Sequence, residues 1–198
     1  MNMQYLYYTE KQLVYMINRG HLYAPFPVLD LNDIVLRELA AEDTQDYFNY
    51  MSKPEMAIYI TDSNRPKDVE EAGEEIRYWS SLYKNHRSFY WGIAIKDDNK
   101  LIGTAGFNII NLEHHRAEIS YDLDPNFWGQ GMMLKSIKNI LKFADYIGII
   151  RVQATVITDN FRSINLLERC GFAREGILKK YEIVANEHKD YYMYARVL

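Results

Sequence analysis

Asp124-Pro125-Asn126-Phe127-Trp128-Gly129-Gln130-Gly131-Met132-Met133 stands between a stretch that alternates like a strand and one that repeats like a helix. Glycines at 129 and 131 let the backbone turn sharply. Several N–H groups then converge where the unpaired amides and positive dipole end of the next helix lie. Such a turn cradles phosphate. A bare GxG is more often an ordinary turn that uses glycine for geometry, so the flanking segments decide its meaning.

Downstream, Met133, Ile137, Ile140, Leu141 and Ala144 recur at helical spacing, predicting a helix from near Gly131 to Gly148, where glycine can take the left-handed C-cap. Ile150, Val152, Ala154 and Val156 then alternate with Arg151, Gln153 and Thr155 as a strand, and Asp159 or Asn160 can cap a short helix ending at Gly171. Residues 177–198 read as two strands joined through Asn186-Glu187. Upstream, residues 89–96, 101–110 and 116–123 form an antiparallel meander, the first two joined by the hairpin loop Asp97-Asp98-Asn99-Lys100. Earlier still, a strand is expected at 34–38. A helix follows, capped by Asp43 or Thr44, with Tyr47, Phe48 and Met51 on its apolar side and Pro54 closing it. Residues 66–84 carry Val69, Ala72, Ile76, Trp79 and Tyr83 at amphipathic spacing, with Glu70, Glu71, Glu74 and Glu75 on the outer face. This order describes an α+β or mixed α/β layer protein.

The chain has 198 residues, 48% hydrophobic and 25% charged, which favours one core. The expected division is a Tyr-rich arm over 1–30 and a main domain over 31–198. The arm holds Tyr5, Tyr7, Tyr8, Tyr15 and Tyr23 before Pro25-Phe26-Pro27, with a short helix expected at 10–18. Lys+Arg 23 against Asp+Glu 27 gives a net charge of −4, which argues against nucleic-acid binding driven by phosphate neutralisation. A single cysteine, Cys170, excludes an intramolecular disulfide framework and fits a reducing compartment. No apolar run approaches the roughly 20 residues of a membrane span, and the opening residues lack the basic and apolar regions of a signal peptide. A cytoplasmic protein that spans no membrane is the expectation.

Read together, several ordered motifs resemble the GCN5-related N-acetyltransferase (GNAT) superfamily from about Val35 to Val197. Within it the pattern is similar to the ribosomal-protein N-terminal alanine and serine acetyltransferases. The carriers are Ile34-Val-Leu-Arg-Glu-Leu, Glu42-Asp43, Leu101-Ile-Gly-Thr-Ala-Gly, Ala117-Glu-Ile-Ser-Tyr-Asp-Leu and Pro125-Asn-Phe-Trp-Gly-Gln-Gly. Thr158-Asp-Asn-Phe-Arg-Ser-Ile-Asn-Leu-Leu-Glu-Arg-Cys-Gly-Phe and Asp190-Tyr-Tyr-Met-Tyr complete the set.

The resemblance implies a mixed, mostly antiparallel sheet with helices on both faces. It also implies direct transfer of acetyl from acetyl-CoA to a primary amine, without a metal. The branch favours the α-amine of a protein or peptide, while related sequences acetylate polyamines, aminoglycosides and other small amines, and fold alone does not choose among them. The pyrophosphate would sit on amides of Gly129, Gln130, Gly131, Met132, Met133 and Leu134. Trp128 and Met133 depart from the superfamily's usual pattern at the two ends of this turn, and Met133 is expected to weaken or reshape binding at most. In the family the strand before the turn splays from its neighbour, and the pantetheine arm pairs in the gap, here with Tyr121, Asp122 and Leu123. The Leu123 amide is then a candidate oxyanion donor, and Asn160 matches a pantetheine-contacting asparagine that also serves as a helix N-cap.

An amine needs a base to deprotonate it before attack, and Glu118, on the strand lining the acetyl group, is the candidate. By strand alternation Glu118, Ser120 and Asp122 share one face, which can face the cleft unless a bulge intervenes, and Ala117, Ile119, Tyr121 and Leu123 share the other. Many members carry a tyrosine seven residues after the asparagine as general acid, but position 167 is Leu. Ser163 matches the branch's Asn-x-x-Ser and is the candidate hydrogen-bond donor to the CoA sulfur. The glutamates at 70–75 are expected to draw a cationic acceptor. Glu113-His114-His115 reads as a surface loop without a third zinc ligand, and Cys170 as packed rather than nucleophilic. The rival reading is a non-catalytic CoA-binding interaction module. An acyl group longer than acetyl would need room beside Ser120 and Asn108. The terminal hairpin and aromatic arm are the candidate contacts of a homodimer.

Overall fold

The computed structural model describes residues 25–198. The helix expected at 10–18, and most of the Tyr-rich arm, lie outside the described residues. Strands β1 (Leu29–Asp30), β2 (Ile34–Glu38), β3 (Tyr90–Ile95), β4 (Leu101–Asn111), β5 (Arg116–Leu123), β6 (Arg151–Ile157), β7 (Ala173–Val184) and β8 (Glu187–Val197) join in one sheet. Their order is β1-β2-β3-β4-β5-β6-β8-β7. Neighbours are antiparallel except β5 and β6, which run parallel.

Two sets of helices cover the sheet. Along β3 alternation sends Tyr90 to one face and Phe89, Trp91 and Ile93 to the other. On the Tyr90 face lie α1 (Thr44–Met51), α2 (Pro54–Ala57) and α3 (Val69–Lys84), which bury Tyr47, Tyr50, Met56 and Ile76. Trp79 of α3 stacks on Tyr90 with ring centroids 3.9 Å apart. On the opposite face α4 (Met132–Tyr146) and α5 (Phe161–Arg169) bury Ile137, Ile140, Phe143, Ala144 and Leu167 against Trp91, Phe107 and Val152. The expected spacing at 133–144 is thus the buried stripe of α4.

The structure corrects several boundaries. Pro54 does not close the first helix, which ends at Met51; it opens α2, where a missing N–H costs nothing in the first turn. Asp43 stands at the N-cap of α1 but makes no side-chain capping bond to it; its carboxylate takes the Arg37 guanidinium through both oxygens, and the Ala40 N–H besides. Asp68 caps α3 by accepting from the Glu71 N–H at 2.9 Å. The first strand of the terminal hairpin starts at Ala173 rather than 177, and Ala185 and Asn186, both at positive φ, make its turn. The sheet also takes in Leu29–Asp30, ahead of the expected boundary at 31. Phe26 packs edge-on to Tyr83 and Trp91, and the Trp91 indole N–H donates to the Pro27 carbonyl.

Gly106 of β4 sits where β3 and β4 approach closely: an added Cβ would meet the Phe89 carbonyl oxygen and Tyr90 Cα at 2.5 Å. Gly106→Ala is therefore expected to lose roughly 1–3 kcal/mol, the usual cost of overpacking, seen as a lower urea midpoint with unchanged slope.

Candidate active site

The site begins where the sheet opens. β5 and β6 pair only over Arg116–Glu118 and Arg151–Gln153, although β5 continues to Leu123 and β6 to Ile157. Asp124 gives its N–H to the Ile102 carbonyl of β4. Because main-chain groups alternate sides along a strand, Leu123 and Tyr121 turn theirs away from β4 into the gap. The Leu123 carbonyl accepts the Trp128 indole N–H there at 2.8 Å. A cleft of about 700 Å³ follows the gap, from the Gly129–Leu134 turn to Glu118 and Asn108.

At one end Gly129 and Gly131 take φ of 76° and 80°, a region that L side chains enter at a cost. A Cβ at either would meet nothing within 4 Å, so glycine is there for the turn and leaves the space above it open. Gly131 is the N-cap of α4 and has no capping side chain. The first bond of the helix runs from the Lys135 N–H to the Gly131 carbonyl, so the N–H groups of Met132, Met133 and Leu134 have no partner inside it. This fits a pyrophosphate: orphan amides, the positive end of a helix dipole and open space. Met133 does not obstruct it. The residue is 7% exposed and packs in the core with Ile137 while also lining the cleft. Gln130 turns back to the Asn126 carbonyl, and the Arg162 guanidinium lies over the Trp128 ring, 4.7 Å from its centre.

Asn160 accepts the Ser163 N–H on Oδ1 at 3.1 Å, the N-cap expected of it. The Ser163 hydroxyl pairs with the Tyr121 hydroxyl at 2.7 Å, a contact between residues 42 apart that carries no local sequence signal. Burial pushes the Tyr121 phenol up, against the Ser163 hydrogen bond that lowers it. Leu167 is wholly buried.

At the other end the Glu118 carboxylate accepts from Gln153 Nε2 at 3.1 Å. The bulge that would have scrambled the alternation lies in the neighbouring strand, between Phe107 and Ile109, leaving β5 regular. Ser120 donates to Asn108 Oδ1 at 2.6 Å and pairs with the Tyr90 hydroxyl. Asp122 also lines the cleft, but its carboxylate is engaged by the Tyr50 hydroxyl at 2.5 Å and the Thr104 hydroxyl at 2.6 Å. Burial raises its pKa, against the hydrogen bonds from Thr104 and Tyr50. Glu75 accepts from Tyr47 at 2.5 Å and is likewise raised, first by burial. No cation stands among the groups acting on either carboxylate. None of Glu70, Glu71, Glu74 and Glu75 lines the cleft, and Glu71 takes the Lys67 N–H, so that face gives the cleft no direct carboxylate contact.

Met56, Tyr59 and Ile60 wall the acceptor end together with Tyr191 of the terminal hairpin. Tyr59 packs against Ile157, Val184 and Tyr191, and Lys53, just before α2, is ion-paired to Asp124 at the root of the glycine turn. These long-range contacts carry no local sequence signal. Elsewhere, His115 Nδ1 meets the Gly148 carbonyl at 2.9 Å and burial raises the Cys170 thiol. Among the described residues no cluster suits a metal, and no helix is long and apolar enough to cross a membrane.

A sheet that parts to admit an extended chain, with a phosphate cradle at one end of the opening and a carboxylate at the other, has the build of an acyl-CoA-dependent transferase. Comparison with known proteins agrees. A family model described as an acetyltransferase (GNAT) domain matches residues 33–173. The chain is 34% identical over 157 residues to the uncharacterized N-acetyltransferase YoaA of Bacillus subtilis, spanning 79% of this chain and 88% of the relative. It is 27% identical over 118 residues to the ribosomal protein uS5-alanine N-acetyltransferase of Escherichia coli, 59% of this chain and 61% of that one. The solved microcin C7 self-immunity acetyltransferase MccE, in complex with acetyl-CoA and AMP, matches with TM-score 0.77 and 26% identity over 84% of this chain and 93% of its own. RimL, a ribosomal L7/L12 α-N-protein acetyltransferase in complex with coenzyme A, shares the fold with TM-score 0.79 at 23% identity, covering 86% of this chain and 98% of its own. The chain belongs to the GNAT family and is an N-acetyltransferase related to the ribosomal-protein acetyltransferases.

The raised Asp122 carboxyl has a definite effect on stability. The folded chain holds that proton more tightly than the unfolded chain, so the contribution is present below the unfolded value, about 3.9, and is lost as pH rises through the folded value. The contribution of Asp122 alone should therefore fall above about pH 4, read as the difference in urea midpoint between the intact chain and Asp122→Asn, which should shift in favour of the Asn variant as pH rises.

Proposed function

We propose that this protein transfers an acetyl group from acetyl-CoA to the α-amine of a peptide or protein N-terminus. The observation that carries the reading is the opening between β5 and β6, which runs from the uncapped start of α4 to Glu118. Acetyl-CoA supplies a thioester already activated for attack. Residues 129–134 hold its pyrophosphate on main-chain amides, and Tyr121 and Leu123 offer main-chain groups to the pantetheine as a neighbouring strand would. The Leu123 N–H lies on the side of the strand where it can meet the negative charge developing on the carbonyl oxygen.

Glu118 takes the proton of the incoming ammonium, leaving a lone pair to form the new C–N bond. Gln153 holds one carboxylate oxygen in place. As the C–S bond breaks, the sulfur keeps its electron pair and the Ser163 hydroxyl hydrogen-bonds to it. The second amine proton leaves for solvent. An uncharged wall of Met56, Tyr59, Ile60 and Tyr191 in the same cleft as the Glu118 carboxylate suits an acceptor with a single positive amine next to apolar groups. The alternative acceptors are small amines such as polyamines or aminoglycosides.

Calorimetric titration with acetyl-CoA should give a Kd in the micromolar range in the intact chain and no binding in Gly131→Glu, whose side chain would fill the cradle. CoA release should then appear with peptides beginning in alanine or serine rather than with spermidine or kanamycin. Glu118→Gln should lower kcat by roughly 10²–10⁴ with little change in acetyl-CoA affinity. Faster turnover of spermidine or kanamycin would reassign the acceptor, and binding without turnover of any amine would favour the interaction module.

A further inference from the structure

Ser163 is a weak donor on its own, and the structure surrounds it with a second hydroxyl that the reaction just described leaves unused. Tyr121 stands on the part of β5 that has left β6, and Ser163 on the first turn of α5; both line the cleft, and their hydroxyl oxygens are 2.7 Å apart. The Ser163 N–H is fixed separately by Asn160 Oδ1, so main chain and side chain are held by different partners. Leu167 lies in the core at 0% exposure, and α5 itself carries no tyrosine.

We propose that Tyr121 is a positioning residue: its phenol donates to Ser163 Oγ and so commits the serine's single hydrogen to the CoA sulfur. A serine hydroxyl has one hydrogen and two acceptor lone pairs. With its oxygen occupied by the Tyr121 O–H, its own hydrogen is free for the cleft, and each bond of such a chain polarises the next. The phenol is buried and stays protonated, so it keeps a hydrogen to give to Ser163 at neutral pH. No proton need leave Tyr121. When the C–S bond breaks the sulfur takes the electron pair, and the two-hydroxyl chain spreads its charge. This inference rests on the acetyl-CoA reading.

The test reads the product rather than the turnover. The thiol of bound CoA is titrated by its thiolate ultraviolet absorbance against a desulfo-CoA blank, in the intact chain, Tyr121→Phe, Ser163→Ala and the double variant. In the intact chain the bound thiol should titrate below free CoA. Each single variant should raise it by about one unit, a tenfold loss of thiolate stabilisation, and the double variant should raise it no further, as expected of groups acting in series. CoA affinity should stay within a fewfold throughout. An unchanged thiol pKa in Tyr121→Phe, or effects that add in the double variant, would overturn the proposal. A lowered thiol pKa with no acetyl transfer to any amine would defeat only the function proposed above; failure of the intact chain to bind CoA would defeat both.

Discussion

Parallel pairing between β5 and β6 lasts for three residues on each strand, Arg116–Glu118 beside Arg151–Gln153, and then stops. Every feature of the site follows from that short ladder. Had the strands stayed paired, the main-chain groups of Tyr121 and Leu123 would be spent on β6, the cleft would be closed, and Glu118 would be one more residue of a continuous sheet. Because they part, buried peptide groups are left that a strand-like ligand can satisfy, and the strands are held apart by what lies beneath them. Ile119 and Leu123 on one side and Val152, Ala154 and Val156 on the other all pack in the core over α4 and α5. The opening is built on tight packing rather than on loops, which gives a site its rigidity.

The polar residues under the acceptor end form a second constraint. Asp122 and Glu75 are half-enclosed with tyrosine hydroxyls as partners and no lysine or arginine acting on them. Buried carboxylates normally require a counter-charge or neutralise themselves, and here hydroxyl donors from α1 and β4 meet part of that requirement. The cluster joins α1, α3, β4 and β5, so the wall on which the amine would rest is cross-linked by hydrogen bonds as well as by apolar contacts.

Much of this could be read in the sequence, and the failures are instructive. The alternation at 116–123, the helical period at 133–144 and the glycines at 129 and 131 are local patterns, and local patterns set local structure. Met133 heads the same apolar stripe as Ile137 and Ile140, so its side chain goes to the core whatever its amide does. The Tyr50–Asp122 bond spans 72 residues and the Lys53–Asp124 pair spans 71; no periodicity can foretell either. Tyr121 shows another limit. Its place on the apolar face of β5 was legible, but the phenol reaches past that face to Ser163 on a helix whose distance only packing fixes.

The opening has a consequence for the chain as a whole. A folded state whose two middle strands part from each other over half their length is incomplete on that side, and whatever lies in the gap binds the folded chain and not the unfolded one. At a hundredfold excess over its Kd such a ligand adds about 2.7 kcal/mol to the folding free energy, a large share of the roughly 5–15 kcal/mol that holds a typical domain together. An acyl donor seated there would also be a removable ninth strand. As its supply falls, more of the protein becomes available to unfolding and proteolysis, so its abundance would follow the acyl-donor supply without any separate regulatory site.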